Sequence, residues 1–218
     1  MTQFIFPNIN PTSSTWELVT NTRVFRSPLT NAVQTASRKG SLWKCTMQYN
    51  NVSGETRALL QAFLTRLNGQ EHRFLLRDFA YTRRGSGEDS TLVTAANQTG
   101  TSVDLTGAPV NQSNYMLAGD YLRINNELHI VVGSWDSGTN TDTYAYNTDS
   151  SGHITVNIAP PLRNTTVLDD PADVVAPVFG VFILGNNPSW SNDVGGISNI
   201  TIEAMEDVEE MIEGREVD

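Results

Sequence analysis

The chain reads as mainly β. Charged residues make up only 17% of its 218 positions, while Asn, Thr, Ser and Gly are abundant, a composition suited to short strands joined by polar turns. One stretch alone carries an apolar stripe at helical period, and turn signals recur throughout the middle of the chain. At this length the chain can bury a substantial core, as one large β domain or two small ones.

Residues 1 to 15 are rich in Pro, Asn, Ser and Thr and are expected to form an extended N-terminal arm. Its Phe4, Ile5 and Phe6 need something to pack on, such as a neighbouring subunit. Short strands are expected at 16–19, 24–26 and 32–36, with turn signals at Asn21-Thr22 and at Pro28-Leu29-Thr30-Asn31. The organising stretch follows at 41–78. Trp43, Cys45, Met47 and Tyr49 share one parity, which gives a strand a buried face. From 55 to 67, Leu59, Leu60, Phe63, Leu64 and Leu67 form a helical stripe; Ser53 can cap its first turn, Glu55 suits the dipole, and Asn68-Gly69 ends it. Residues 73–77 then read as a strand.

Composition shifts at 81–88, and from there to about residue 164 no helical periodicity remains. Candidate strands lie at 92–94, 102–105, 121–124, 128–132, 143–147 and 154–158, with a hairpin turning at Asn125-Asn126. Short strands at this spacing describe a small β-barrel or sandwich, and an oligonucleotide/oligosaccharide-binding (OB) type of barrel fits the size. After a polar connector, 174–184 and 197–204 read as strands without partners nearby. The economical arrangement returns them to the sheet begun in 16–77. Residues 85–165 then form an insertion between the two parts, 16–84 and 166–205, of one discontinuous domain, and residues 206–218 form an acidic, helix-prone tail. In that tail Ile212-Glu213-Gly214-Arg215 coincides with a protease recognition sequence, and no function is assigned to it.

Charge is segregated. Residues 1–84 carry eleven bases and four acids, 85–165 two and eight, 166–202 none and four, and 203–218 one and eight, which sums to the net charge of −10. A chain polarised in this way is suited to packing against copies of itself, because complementary patches steer association and fix register. The N-terminus lacks the basic and apolar regions of a signal peptide, and no stretch reaches the length of a membrane span, so a soluble product made in the cytoplasm is expected.

The order and spacing of several runs resemble the distal tail proteins of long-tailed bacteriophages. The runs are Phe-Leu-Thr-Arg-Leu-Asn-Gly-Gln-Glu-His-Arg-Phe-Leu-Leu-Arg-Asp at 63–78, Leu-Ala-Gly-Asp-Tyr-Leu-Arg-Ile at 117–124 and Pro-Pro-Leu-Arg at 160–163. Pro-Val-Phe-Gly-Val-Phe at 177–182 and Ile-Ser-Asn-Ile-Thr-Ile-Glu-Ala at 197–204 complete the set. The resemblance implies a discontinuous β-sandwich ring domain with one α-helix, carrying an inserted OB-like β-barrel that projects outward. It also implies a six-fold ring of the chain with itself at the distal end of a virion's tail. The tail tube, tape measure and baseplate hub would be its neighbours, and DNA would pass through the lumen only as cargo.

No enzyme signature accompanies this. His72, His129 and His153 stand in no metal-ligand spacing, and Cys45, on a buried strand parity, has no disulfide partner. Satisfied or surface histidines and a core cysteine are expected. Glu203, Glu206, Asp207, Glu209 and Glu210 read as a solvated charge run rather than a cation site. Asp120, Glu127, Asp136 and Asp142 offer no pair that the sequence brings into an apolar cleft. No catalytic residue, metal or cofactor is expected. Arg23, Arg26, Arg38, Lys39, Arg83 and Arg84 suit inter-subunit pairing better than nucleic acid, since no stacking motif accompanies them. An alternative function is recognition of host surface glycans by the inserted barrel, through Trp135, Tyr144 and Tyr146, whose rings could stack on sugar faces.

Overall fold

The computed structural model describes residues 3–37, 40–88 and 90–207. The fold is mainly β, 47% strand and 6% helix, with several sheets, a half-barrel and, among the described residues, one helix. In the first third of the chain come β1 (Gln3–Ile5), β2 (Ser13–Val19), β3 (Thr22–Arg26), β4 (Val33–Ser37), β5 (Leu42–Val52), α1 (Gly54–Arg66) and β6 (Arg73–Leu76). The middle holds β7 (Leu92–Val93), β8 (Gly100–Thr106), β9 (Met116–Leu117), β10 (Tyr121–Ile124), β11 (Glu127–Val132), β12 (Ser134–Asp136), β13 (Thr141–Thr143), β14 (Ala145–Tyr146) and β15 (Ile154–Leu162). The chain closes with β16 (Gly180–Leu184), β17 (Ser189–Asp193) and β18 (Ile197–Glu206).

Strands from the two ends of the chain share one seven-stranded sheet in the order β1-β6-β16-β18-β5-β2, with β17 paired to β18. The parity of β5 holds: Trp43, Cys45, Met47 and Tyr49 all point into the core, where they meet Leu60, Phe63 and Leu64 of the helix. The middle strands form a five-stranded sheet, β10-β11-β15-β8-β7, and three two-stranded pairs are β12-β13, β14-β9 and β3-β4. The β10–β11 hairpin turns where Asn125 and Asn126 both take positive φ, 50° and 63°, a turn that twists with its strands. It is covered on both faces. Tyr121 and Leu128 enter the core of the seven-stranded sheet, while Leu122, Ile124 and Val131 enter a second core with Val103, Leu105, Val156 and Ile158.

Several expectations are corrected. The N-terminal residues pack in part on their own chain: β1 runs parallel to β6 and Phe6 is buried edge-on against Phe63 and Phe79, while Ile5 stays 65% exposed. The free edge of β6 supplies the backbone partners that the arm needed, and β2 already begins at Ser13. Ser53 occupies the N-cap position of α1 without a side-chain cap hydrogen bond, and Leu59 lies 49% exposed on its outer side. Asn68 and Gly69 do end the helix with positive φ. The apolar run at 174–184 is a strand only from Gly180. Within the run Pro177 withholds an N–H that a ladder needs, and just ahead of it the chain makes isolated bridges, Leu92 with Pro171 and Arg123 with Asp173. The expected strand at 143–147 is broken at Tyr144, and β17 has no counterpart in the sequence reading. The tail begins later than expected: Glu203 and Glu206 are in β18, and Glu209, Glu210 and the helical expectation lie outside the described residues.

Candidate assembly surface

Two antiparallel strands leave the body of the sheet together. The β2–β5 ladder ends with Val19 opposite Leu42, and the chain then continues as the β3–β4 ladder, from Thr22 opposite Ser37 to Arg26 opposite Val33. A turn closes the arm at residues 27–32, where Ser27 N–H donates to Ala32 O and Asn31 takes a φ of 55°. Every residue of β3 is exposed. Val24 and Val33 are exposed on one face, Phe25 on the other, and Leu29 stands 94% exposed at the tip. An isolated two-stranded hairpin is marginally stable in water, and one with apolar side chains on both faces gains stability by covering them. Sequence reading placed the strands but missed this exposure. The available signal was adjacent apolar residues of opposite parity, Val24 and Phe25, in a run too short to be a core strand.

A second exposed feature is the β12–β13 hairpin. Trp135 pairs with Asp142 across it and is 58% exposed. Tyr144 is also exposed, and its hydroxyl donates to Asp142 Oδ2 at 2.8 Å, a bond that raises the phenol's pKa. Asp136 accepts from Gly138 N–H and Thr139 Oγ1, and these bonds lower its pKa. Tyr146, grouped with these rings on sequence, is buried in the second core and donates to Val132 O at 2.6 Å. No face of its ring is open to stack on a sugar. In β14 it stands two residues past Tyr144, but the strand break between them turns one ring out and the other in.

The remaining ionisable candidates are structural. Asp120 is buried and accepts four hydrogen bonds, from Tyr81 Oη and Arg84 N at Oδ1 and from Gly85 N and Leu117 N at Oδ2, all between 2.9 and 3.1 Å. Glu127 accepts from the backbone N–H groups of Arg163 and Asn164; burial pushes its pKa up, and these donors pull against that shift. His129 is fully buried, and its Nδ1 lies 2.9 Å from Pro160 O, which makes Nδ1 the protonated nitrogen. Burial lowers its pKa to about 4. Glu206 is buried beside Arg163. Glu127, His129 and Glu206 have no opening to a substrate, and Asp136 and Asp142 sit on an exposed hairpin rather than in a cleft. Among the described residues no three His, Cys, Asp or Glu side chains converge as metal ligands.

A cavity of about 270 Å³ lies between Phe6, Phe79, Pro177 and Phe179. Its one ionisable group is Arg77, held by Asn8 Oδ1 at 2.7 Å and stacked over Phe79. It contains no nucleophile and no acid–base pair. Of the basic set, Arg23 and Arg26 lie on the arm, Arg83 donates to Gly87 O, Arg84 reaches Ala118 O, and Arg38 and Lys39 are outside the described residues.

No protein-family model matches the chain, and no curated protein matches it in sequence. Among the described residues no helix is long and apolar enough to cross a membrane.

Proposed function

We propose that the chain is a structural virion protein that forms a ring at the distal end of a phage tail and joins the tail tube to the baseplate hub. One observation carries this reading: the β3–β4 arm, with apolar side chains on both faces and no layer of the described residues to cover them. A protein whose buried carboxylates are tied into folding bonds, and whose two-stranded arm exposes Val24, Phe25, Leu29 and Val33 together, is built to contact other chains. In this reading the seven-stranded sheet and its helix belong to the ring sandwich, and residues 85–165 form the OB-like barrel directed outward. The tape measure would end at the ring, and the net negative charge would let DNA pass the lumen without sticking. Light scattering of the purified chain across a wide concentration range, with negative-stain images of the same samples, tests it. A closed ring that grows in with concentration supports the reading; a monomer that also fails to join isolated tail tubes overturns it.

The exposed Trp135, Asp142 and Tyr144 on the β12–β13 hairpin favour a second reading, glycan binding. Aromatic faces with a carboxylate beside them suit the apolar face and hydroxyls of a pyranose. A glycan array probed with the full-length chain tests it, and signal that survives in both Trp135→Ala and Tyr144→Ala rejects it.

A further inference from the structure

Self-assembly through the arm requires an acceptor surface on the neighbouring copy. Resting on the ring reading, we propose that the β3–β4 arm of one copy docks on the acidic, apolar patch formed by residues 167–170 and Glu88 of the next.

The arm has a definite chemistry. Residues 20–40 carry four bases, Arg23, Arg26, Arg38 and Lys39, and no acid, and the described part adds the exposed Val24, Phe25, Leu29 and Val33. Its complement must be apolar and negative. Residues 167–170 meet both requirements: Val167 and Leu168 are 59% and 55% exposed, and Asp169 and Asp170 follow them directly. Glu88, also exposed, is tied to the same place through Thr91, whose N–H donates to Glu88 O and whose carbonyl accepts Ala172 N–H. Between Thr166 and Asn199 the sequence has four acids and no base, so nothing within that stretch neutralises the patch.

The patch is also a rigid platform. Asp170 O accepts Val93 N–H at 3.0 Å, Asp169 N–H donates to Val93 O at 3.0 Å, and Thr166 O accepts Asn97 N–H at 2.8 Å, which fixes the segment along the edge of the five-stranded sheet. Two apolar side chains held outward on a fixed backbone cost little entropy to cover. On the β12–β13 hairpin Trp135 and Tyr144 are exposed, but the carboxylates beside them are already engaged, Asp136 by Thr139 Oγ1 and Asp142 by the Tyr144 hydroxyl. A further exposed apolar site, Trp190, Val194 and Ile197, carries a single acid, Asp193, and has Arg57 beside its turn at Gly196. It matches a basic arm less well. Arm and patch are different surfaces of one chain, so the contact is head-to-tail and propagates from copy to copy, as ring closure needs.

Two charge-swapped proteins test the pairing. Arg23→Glu with Arg26→Glu sets an acidic arm against an acidic patch, and Glu88→Lys with Asp170→Lys sets a basic patch against a basic arm. Each alone is expected to lose self-association at least tenfold, while an equimolar mixture regains it, because each arm then meets a patch of opposite sign. A bismaleimide cross-link between separately prepared Phe25→Cys and Leu168→Cys chains places the contact. Cys45 stays silent, since burial raises its thiol pKa to about 12. Circular dichroism checks that every variant is folded. Rings that form normally in both swapped proteins, or that yield no 25–168 cross-link, overturn this acceptor and leave the ring reading standing. Wild-type chains that do not associate at any concentration, with or without tail tubes, overturn both.

Discussion

Arg163 Nη1 lies 2.9 Å from Glu206 Oε2, and the same carboxylate accepts the N–H groups of Trp43 at 3.1 Å and Leu128 at 2.8 Å. One buried side chain therefore joins β5 and β18 of the seven-stranded sheet to β11 and the end of β15 in the five-stranded sheet. Arg163 extends the junction by donating from Nη1 to Ser41 O at 2.8 Å. Removing one member of a buried pair leaves the other charge uncompensated, so Arg163→Met is expected to cost about 3–5 kcal/mol. Urea denaturation measures it. A loss below about 1 kcal/mol would show that Glu206 is held by its backbone donors alone.

Asp120 serves a similar purpose with a different geometry. Its carboxylate holds the entry to the middle segment, at Arg84 and Gly85, against Leu117, while the hydroxyl of Tyr81 closes the set. Gly85 is required there: a Cβ at that position would lie 2.6 Å from Tyr115 O and 2.7 Å from Asp120 Oδ2. Asp120→Ala leaves buried donors without an acceptor and is expected to lose about 3 kcal/mol or more. Gly85→Ala should also be destabilising, because its Cβ would press on the Tyr115 carbonyl as well as on the carboxylate. Thermal unfolding of both variants is the measurement, and a wild-type midpoint in either would contradict the role given to this carboxylate.

These junctions mark where the sequence was opaque. Local order was readable where side chains repeat with a period: the inward parity of Trp43, Cys45, Met47 and Tyr49, the stripe of Leu60, Phe63 and Leu64, and the turn at Asn125-Asn126. Long-range pairing left weaker marks. That β16 and β18 join β6 and β5 was inferred only because those runs lacked partners nearby, and the pairing of β1 with β6 was missed altogether. Glu206 looked like the start of a solvated acidic run because its partners, Trp43, Leu128 and Arg163, lie 43 to 163 residues away. In the candidate surfaces, Trp135, Tyr144 and Tyr146 were indistinguishable by residue type. The strand break at Tyr144 separates them, and it has no signature in the sequence.

His129 gives the fold an acid limb. Its folded pKa is depressed to about 4, so the unfolded chain, with an ordinary imidazole near 6.5, binds the proton more readily. Stability from this residue is present above about pH 6.5 and is lost as pH falls towards 4, to a total of about 3 kcal/mol. Glu127, whose pKa is raised by burial, contributes with the opposite sign, gaining stability as it protonates, so the comparison must be made against a variant. His129→Asn retains a donor for Pro160 O and does not titrate. The stability difference between wild type and His129→Asn is expected to shift by about 3 kcal/mol in favour of the variant between pH 7 and pH 4. Urea titrations at both values decide it, and a difference that does not change with pH would remove His129 as the cause.

The aromatic hairpin separates surface function from core packing within one short stretch. Trp135 and Tyr144 are exposed and reach nothing in either core, so Trp135→Ala and Tyr144→Ala are each expected to change stability by less than about 0.5 kcal/mol. Tyr146 fills the second core and holds Val132 O, and its truncation to Ala is expected to cost about 3–5 kcal/mol. Thermal melts of the three variants check this ordering. If glycan binding exists, titration calorimetry of the stable variants with a bound oligosaccharide should show at least a tenfold loss of affinity for each ring removed, with the melt unchanged. Affinity that falls only in Tyr146→Ala, together with its stability, would trace the effect to the fold rather than to a sugar stacked on the hairpin.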